Sequence, residues 1–580
     1  MFFEYMFTVS QYGIIIFSIV ILARCLRSML SERIDPEIWA YIRVGHDTLP
    51  VYHWENIIGR ARDADIRVFG KGIGKVHAVL KRSDKGIWWA YDVFSKGGVW
   101  VNGERVPEYG TALEHGDIIN LGGSCVRFLD ISSAKRRENE ANRSSAAYAV
   151  NPAVSLAELS AIQLLLLFQH SLSAARETLL LIAVAYMTLI ILEWAVYEAM
   201  RLLNRRGFEI EILAFYLTTL GLSVAAGSTP EDIYKQILLI VSAVALFLIC
   251  GWWMRSLRRT AAIRIPAAII ALGLLALNIL TSDTINGAQN WLTFGGYSFQ
   301  PSEFVKALYI YVGASTMENL YRRRNLYLFT GFSAICVIAL AIIGDFGTAL
   351  IFFATFLVIS FMRSGSIATA VLAVAGAVMA GFLAVSIKPY IARRFEIWGH
   401  AWEDVYDAGY QQTRAMSAAA SGGMLGKGAG GGWLKNIFAS NTDMVFAYVC
   451  EELGLIVAVC MVAAVLLMAL FAVRMSLTGR SSYYAIAGCA TSAMLLVQLA
   501  LNVFGSLDIL PFTGVTFPFV SRGGSSLISC WMLMAYLKST DNRMRASFAV
   551  TPAGKMRRAA ETESDEDEGN ADEAETEDMR

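Results

Sequence analysis

The chain has 580 residues, of which 56% are hydrophobic and only 17% charged, with a mean hydropathy of +0.48. So few charges over such a length exclude an ordinary soluble protein and point to a polytopic membrane protein. The formal net charge of zero is a cancellation, because the acidic run ETESDEDEGNADEAETED near the C-terminus offsets a basic remainder. It gives no sign of a nucleic-acid partner.

In chain order, the first apolar run covers residues 8 to 24 and approaches the roughly 20 residues that crossing a bilayer requires. It has no basic segment before it and no Ala-x-Ala site after it, and RCLRSMLSER follows it. Residues 1–30 therefore read as an anchor and not as a cleaved signal peptide.

Residues 31–130 change character. Short alternating apolar runs (DIRVF, HAVLKR, IWWAYDVF, GVWVNG, VRFLD) are broken by turn residues, the pattern of a small all-β sandwich. A linker over 131–152 leads to an extra transmembrane hairpin over 153–204, with spans near 154–172 and 178–197. Within 205–545 ten more spans fall near 208–226, 234–254, 262–280, 302–320, 327–343, 346–363, 366–386, 444–474, 483–504 and 514–537. The run at 154–172 is interrupted by Glu158, Gln163, Gln169 and His170, so lying on the membrane surface is its alternative.

Basic loops follow the odd-numbered spans, as in RLLNRR, RSLRRT, YRRRN, MRSG and RMSLTGR, and short basic loops stay in the cytoplasm. That rule puts the sandwich inside and the large loop 387–443 outside. The acidic tail over 546–580 has nothing apolar to bury and is expected to be disordered in the cytoplasm. Eight scattered cysteines and six dispersed histidines suggest no disulfide framework and no metal site.

The stretches IIGRARDADIRV, KGIGKVHAVL, GGVWVNGERV and LEHGDIINLGG resemble a forkhead-associated (FHA) domain. The resemblance implies phosphothreonine binding by loop residues, since a dianionic phosphate wants a guanidinium and neutral donors. Arg60 falls on the family's arginine and Asn102 on the asparagine of its later Asn-Gly pair. Gly74, Lys75, Val76 and His77 stand where the family has Ser-Arg-x-His, and Gly97 replaces an asparagine. The implied phosphopeptide set is Arg60, Lys75, Ser95 and Asn102, with phospho-independent docking as the second reading. His77 reads as a packed strand residue.

From 208 onward, NGAQNWLTFGGYSFQPSEFVK, GDFGTALIFF, DAGYQQTRAMSAAASGGMLGKG, NTDMVFAYVCEELGL and GVTFPFVSRGGSS resemble, in order, the SEDS family of FtsW- and RodA-like peptidoglycan glycosyltransferases. The implied fold is a polytopic all-α membrane protein, a SEDS-like ten-helix core plus three extra spans, with an inserted cytoplasmic all-β FHA sandwich.

The residues of these stretches have readings of their own. Pro301 suits a helix start, and Glu303 and Lys306 share one face at i, i+3. Charges inside a span are costly, so these two form either a mutual ion pair or a substrate contact. GDFG lacks the glycine-rich loop and catalytic-loop motif of a kinase. ASGGMLGKGAGGGW reads as a loop at the membrane surface, and Lys427 is followed by Gly428, which does not satisfy a P-loop. Asp443, Glu451 and Glu452 sit at the ends of one helical segment, where capping and packing weigh equally with a site role.

In AWEDVYDAGYQQT the resemblance lays Asp404 on the family's essential outer-loop aspartate, with Gly409 and Tyr410 matching further on and Arg394 on an arginine of that loop. Val405 replaces a proline and Asp407 a glycine, so Asp407 is the rival carboxylate. Arg522 stands in place of a tyrosine, either to neutralise a diphosphate or to pair with Glu451 or Glu452. Asn290 takes the place of a basic residue before Trp291.

The resemblance implies polymerisation of lipid II on the outer membrane face, with Asp404 as catalytic base. Glu303, Lys306, Arg394, Gln411, Arg414 and Lys427 would bind substrate, the cations facing the leaving diphosphate. A class B penicillin-binding protein transpeptidase and a phosphothreonine protein are the implied partners. No cofactor is named, and a divalent cation is left open. The alternatives are a lipid II flippase and an FHA-bearing membrane scaffold; division, elongation and sporulation stay undivided.

Overall fold

The computed structural model describes residues 2–541 except 32–36, 62–63, 84–85, 94, 133, 137, 140–150, 204, 206, 283–289, 295–296, 318–322, 365–366, 388 and 478–480. The acidic tail over 546–580 lies outside the described residues.

Helix α1 (Phe2–Ser31) leads into eleven strands: β1 (Ala40–Val44), β2 (Asp47–Val51), β3 (Glu55–Gly59), β4 (Ile66–Arg67), β5 (Ala78–Arg82), β6 (Trp88–Asp92), β7 (Val99–Val101), β8 (Glu104–Arg105), β9 (Thr111–Leu113), β10 (Ile118–Leu121) and β11 (Ser124–Asp130). They form two sheets, β2-β1-β11-β10-β7-β8 and β4-β3-β5-β6-β9. The two-residue side-chain period decides the packing. In β11, Val126 and Phe128 point inward, and in β7 Val99 and Val101 are buried while Trp100 faces out. Trp88 of one sheet meets Phe128 of the other at a centroid distance of 5.8 Å.

His77 is fully buried, accepting the Gly74 N–H at Nδ1 (3.0 Å) and donating from Nε2 to the Gly98 carbonyl (3.2 Å). It is a packed residue that ties two loops together.

The helical part continues with α2 (Pro152–Ser173), α3 (Arg176–Leu202), α4 (Glu209–Ser228), α5 (Ile233–Trp253), α6 (Leu257–Ala262) and α7 (Arg264–Thr281). After the hairpin β12 (Leu292–Phe294) and β13 (Tyr297–Phe299) come α8 (Pro301–Met317), α9 (Arg323–Ile343), α10 (Phe346–Ser364), α11 (Ile367–Ile387), α12 (Pro389–Ile397) and α13 (Tyr410–Gly422). The chain closes with α14 (Val445–Leu453), α15 (Leu455–Leu477), α16 (Ser482–Ser506) and α17 (Gly524–Ser539). Among the described residues, ten helices are long and apolar enough to cross a membrane, and Pro152–Ser173 is one of them.

The polar residues that interrupt α2 all find partners on other helices. Glu158 pairs with Arg24 at 3.0 Å, Gln163 donates to Glu193 and Thr219, Gln169 donates to Ser10, and His170 meets Ser223 at 3.1 Å. Polar groups in a span face the bundle and hydrogen-bond there, so α2 packs within the helical bundle.

Two spans differ from their sequence reading. The run 444–474 is broken at Gly454, whose φ of +88° ends α14 before α15 begins. The run 514–537 is non-helical up to Gly523 and becomes helical only at Gly524; Pro518 lacks a backbone donor, and Gly514 is in the left-handed region. Helices α8 and α11 stand where spans were expected near 302–320 and 366–386, but neither is among those ten helices of the described residues.

Candidate active site

The loop after α12 is fastened to the connection between α16 and α17. Gly399 N and Ala401 N donate to the two carboxylate oxygens of Asp508 at 3.1 and 3.3 Å, Gln412 Nε2 adds a third bond at 3.3 Å, and Trp398 Nε1 donates to the Ile509 carbonyl at 3.0 Å. Asp508 itself sits at φ +59°, a left-handed conformation that is costly for a residue with a side chain. Sequence reasoning missed Asp508. An isolated aspartate before Ile-Leu-Pro carries no spacing that links it to a loop more than a hundred residues away.

Asp404 lies in the turn so anchored. Its Oδ2 accepts the Ala408 N–H at 3.2 Å, and its backbone carbonyl accepts the Gly409 N–H at 3.0 Å. The side chain is half-exposed, and its second oxygen takes no hydrogen bond among the described residues. The turn requires glycine at 409, because a Cβ there would collide with the Ala401 carbonyl oxygen. Asp407 is differently placed, 70% exposed and ion-paired with Arg393. The two carboxylates that the sequence left as rivals are thus distinguished: one is locked in a turn with an unoccupied oxygen, the other is held by a guanidinium.

Glu303 and Lys306 form a buried pair, with Lys306 Nζ 2.8 and 2.9 Å from the two carboxylate oxygens and 3.1 Å from Gln498 Oε1. An ammonium has three protons, so this arrangement uses all of them, and Lys306 is only 1% exposed. Gln498 passes the connection on, donating to the Thr516 carbonyl at 2.9 Å. One turn later on α16, Asn502 donates to the carbonyls of Asp443 (3.0 Å) and Val515 (2.8 Å). Residues i and i+4 share a helix face, so one face of α16 joins the buried pair, the 515–516 segment and Asp443, and its exit grips the Asp404 loop through Asp508.

Asp443 is pushed up to about 6 by burial, against the lowering influence of the Thr442 hydrogen bond and of Arg394. Arg394 therefore acts near Asp443. A carboxyl with a raised folded value holds its proton better folded than unfolded. The stability it contributes is fully present below its ordinary value of 3.8 and lost as pH rises through about 6. Thermal unfolding in detergent should accordingly show wild type losing stability relative to Asp443→Asn across that window; parallel pH profiles would refute the assignment.

The glycine-rich loop between α13 and α14 is organised by the two glutamates ending α14. Glu451 accepts Trp433 N (3.0 Å) and Leu434 N (2.9 Å) and pairs with Lys427 at 2.9 Å, while Glu452 accepts Gly430 N (2.8 Å) and Gly432 N (3.4 Å). Arg522 pairs with neither: it reaches Asp232 at 3.1 Å, because both glutamates are already filled by loop donors and Lys427. Gln411 donates to the Phe438 carbonyl at 3.1 Å, and Arg414 lies over the Tyr410 ring at 5.1 Å.

In the sandwich, Arg60 and Lys75 are brought to one end, where Arg60 N donates to the Gly74 carbonyl and Ala61 N to the Lys75 carbonyl, with both side chains exposed. Ser95 N donates to Asp92 in the turn between β6 and β7. Asn102 lies beyond the other end of β7, its amide bonded to Asp117 (2.8 Å) and to Ile118 N (3.0 Å). Among the described residues no group of three or more His, Cys, Asp or Glu is placed to hold a metal ion.

Among the described residues, ten helices long and apolar enough to cross a membrane, joined to a two-sheet β-sandwich, define a multi-pass membrane protein with an appended β domain. Residues 224–546 match the family model of the FtsW, RodA and SpoVE cell cycle proteins, and residues 56–122 match that of the FHA domain. Similar curated proteins include a probable peptidoglycan glycosyltransferase FtsW of Wigglesworthia glossinidia brevipalpis, 30% identical over 293 residues that span 48% of this chain and 76% of the relative. The peptidoglycan glycosyltransferase RodA of Mycobacterium leprae is 26% identical over 334 residues, 55% of this chain and 72% of the relative. A chain of a solved peptidoglycan synthase complex aligns at a TM-score of 0.49 with 24% identity, over 58% of this chain and 98% of its own.

The chain belongs to the FtsW/RodA/SpoVE family. Its enzyme class is that of a peptidoglycan glycosyltransferase, and it carries an FHA domain.

Proposed function

We propose that the chain polymerises lipid II into β-1,4-linked glycan strands on the outer face of the cytoplasmic membrane, with Asp404 as the base. The observation that carries this reading is the Asp404 carboxylate, fixed in a turn anchored by Asp508 with one oxygen unoccupied. The acceptor sugar's hydroxyl passes its proton to that oxygen as it bonds to the donor's anomeric carbon, and the bond to the diphosphate breaks. One displacement inverts the α-linked donor to a β linkage. A positioned base needs hydrogen-bond reach and a fixed orientation, and the Asp508 anchor supports the second.

The departing diphosphate carries developing negative charge that preorganised cations stabilise. Arg394, Arg414 and Lys427 take that role, with Gln411 as a further substrate contact, and the buried Glu303–Lys306 pair steadies the segment at Thr516 through Gln498. The loop faces outward, and the FHA domain and acidic tail face the cytoplasm, following the basic loops. A class B penicillin-binding protein crosslinks the product. Arg60 and Lys75, exposed side by side, suit an anionic peptide such as a phosphothreonine segment.

The test is to reconstitute the full chain with its transpeptidase in vesicles and supply labelled lipid II. Glycan polymer is the expected product. Lipid II crossing the bilayer with no polymer formed would replace this reading with that of a flippase.

A further inference from the structure

The helices α1 and α2 precede the family-matching region, yet both reach the glycine-rich loop. Gln11 on α1 donates to the carbonyls of Gly426 (2.8 Å) and Leu425 (3.4 Å). On α2, Gln169 accepts the Ala429 N–H at 2.9 Å, and the Ser173 hydroxyl donates to the Ala429 carbonyl at 2.8 Å. Both backbone groups of Ala429 are therefore taken by α2. Gln169 also donates to Ser10 at 2.9 Å, fastening α2 to α1.

The contact is close as well as polar. A Cβ at Gly428 would stand 2.5 Å from the Phe7 ring, and one at Gly430 would stand 2.6 Å from the Ser173 hydroxyl. Glu451 and Glu452 hold the same loop from the core side. The segment is a strip of backbone between two sets of side chains, one from the core and one from the added helices.

Such a strip needs both. Glycines lose more conformational freedom on ordering than other residues, and buried peptide groups must find partners. The core glutamates accept N–H groups; the carbonyls of Leu425, Gly426 and Ala429 are answered from α1 and α2.

We propose that Gln11 and Gln169 are positioning residues for the glycine-rich loop, so that the two added helices complete the substrate-binding face that presents Lys427. The proposal rests on the reading of Lys427 as a substrate contact. Asp404 stands on a separate turn anchored by Asp508, so loosening the loop weakens substrate binding and leaves the proton transfer in place.

The test uses the full-length chain with its transpeptidase and a lipid II titration. Gln11→Leu and Gln169→Leu are expected to raise KM about tenfold, of the order that one or two net hydrogen bonds supply, with kcat within about twofold. Gln11→Lys, which restores a donor, should recover most of the lost affinity, and Ser173→Ala, which removes one bond and little volume, should raise KM about threefold. A general loss of folding would lower active enzyme and kcat without this split and without rescue by Gln11→Lys. Unchanged KM in Gln11→Leu and Ser173→Ala, or a fall confined to kcat, overturns the proposal. Absence of polymer from wild type overturns the functional reading instead.

Discussion

Asp404→Asn should lower lipid II polymerisation by about 100- to 10,000-fold, the range over which a positioned general base contributes, while Asp407→Asn stays within about twofold of wild type. The amide keeps the acceptor for the Ala408 N–H, so the turn survives and only the proton acceptor is lost. Asp407, exposed and paired with Arg393, contributes a surface ion pair of small energetic weight. Glycan chains resolved from labelled substrate provide the measurement, with normal thermal unfolding as the control for folding. Equal loss in both variants, or polymer from Asp404→Asn at the wild-type rate, removes Asp404 from the base role.

The second large effect concerns stability. Lys306→Met strands Glu303 in the bundle with no counter-charge, and breaking a buried pair from one side costs about 3–5 kcal/mol. Glu303→Gln combined with Lys306→Met leaves no unpaired charge and is expected to recover most of that loss, since neutral replacement of a buried pair is often harmless to the fold. Gln498, whose Oε1 accepts from Lys306, will reorganise in both. Unfolding temperatures in detergent of the two variants decide the matter: if the double variant is no more stable than the single one, the carboxylate is not held by its lysine in the way the 2.8 and 2.9 Å contacts require.

Local pattern carried much of the architecture. The alternation in VRFLD announces β11, and Pro301 marks the start of α8 where its missing donor is harmless. Gly409 is marked by the family resemblance alone, and the turn that requires it is visible only in the structure. What local pattern does not carry is partnership over distance. Gln11 meets a carbonyl 415 positions away and Gln169 an amide 260 positions away, so the polar residues that made α2 look ill-suited to the membrane are the ones that fit it into the bundle. Gly454 hides within the run read as one span over 444–474, and its positive φ separates α14 from α15. Of the two readings of Arg522, pairing with Glu451 or Glu452 gives way to pairing with Asp232; nothing in SRGGSS tells that those carboxylates are already occupied by the loop.

The left-handed backbone at Asp508 makes one position answer two demands. Glycine there would relieve backbone strain of at most about 1–2 kcal/mol, but it would release Gly399, Ala401 and Gln412 from their shared carboxylate, and hydrogen bonds to a charged group are worth about 1.5–3 kcal/mol each. Breeding for heat resistance and breeding for turnover would therefore both keep the aspartate, because the residue that steadies the Asp404 turn is also one the fold loses at a net cost.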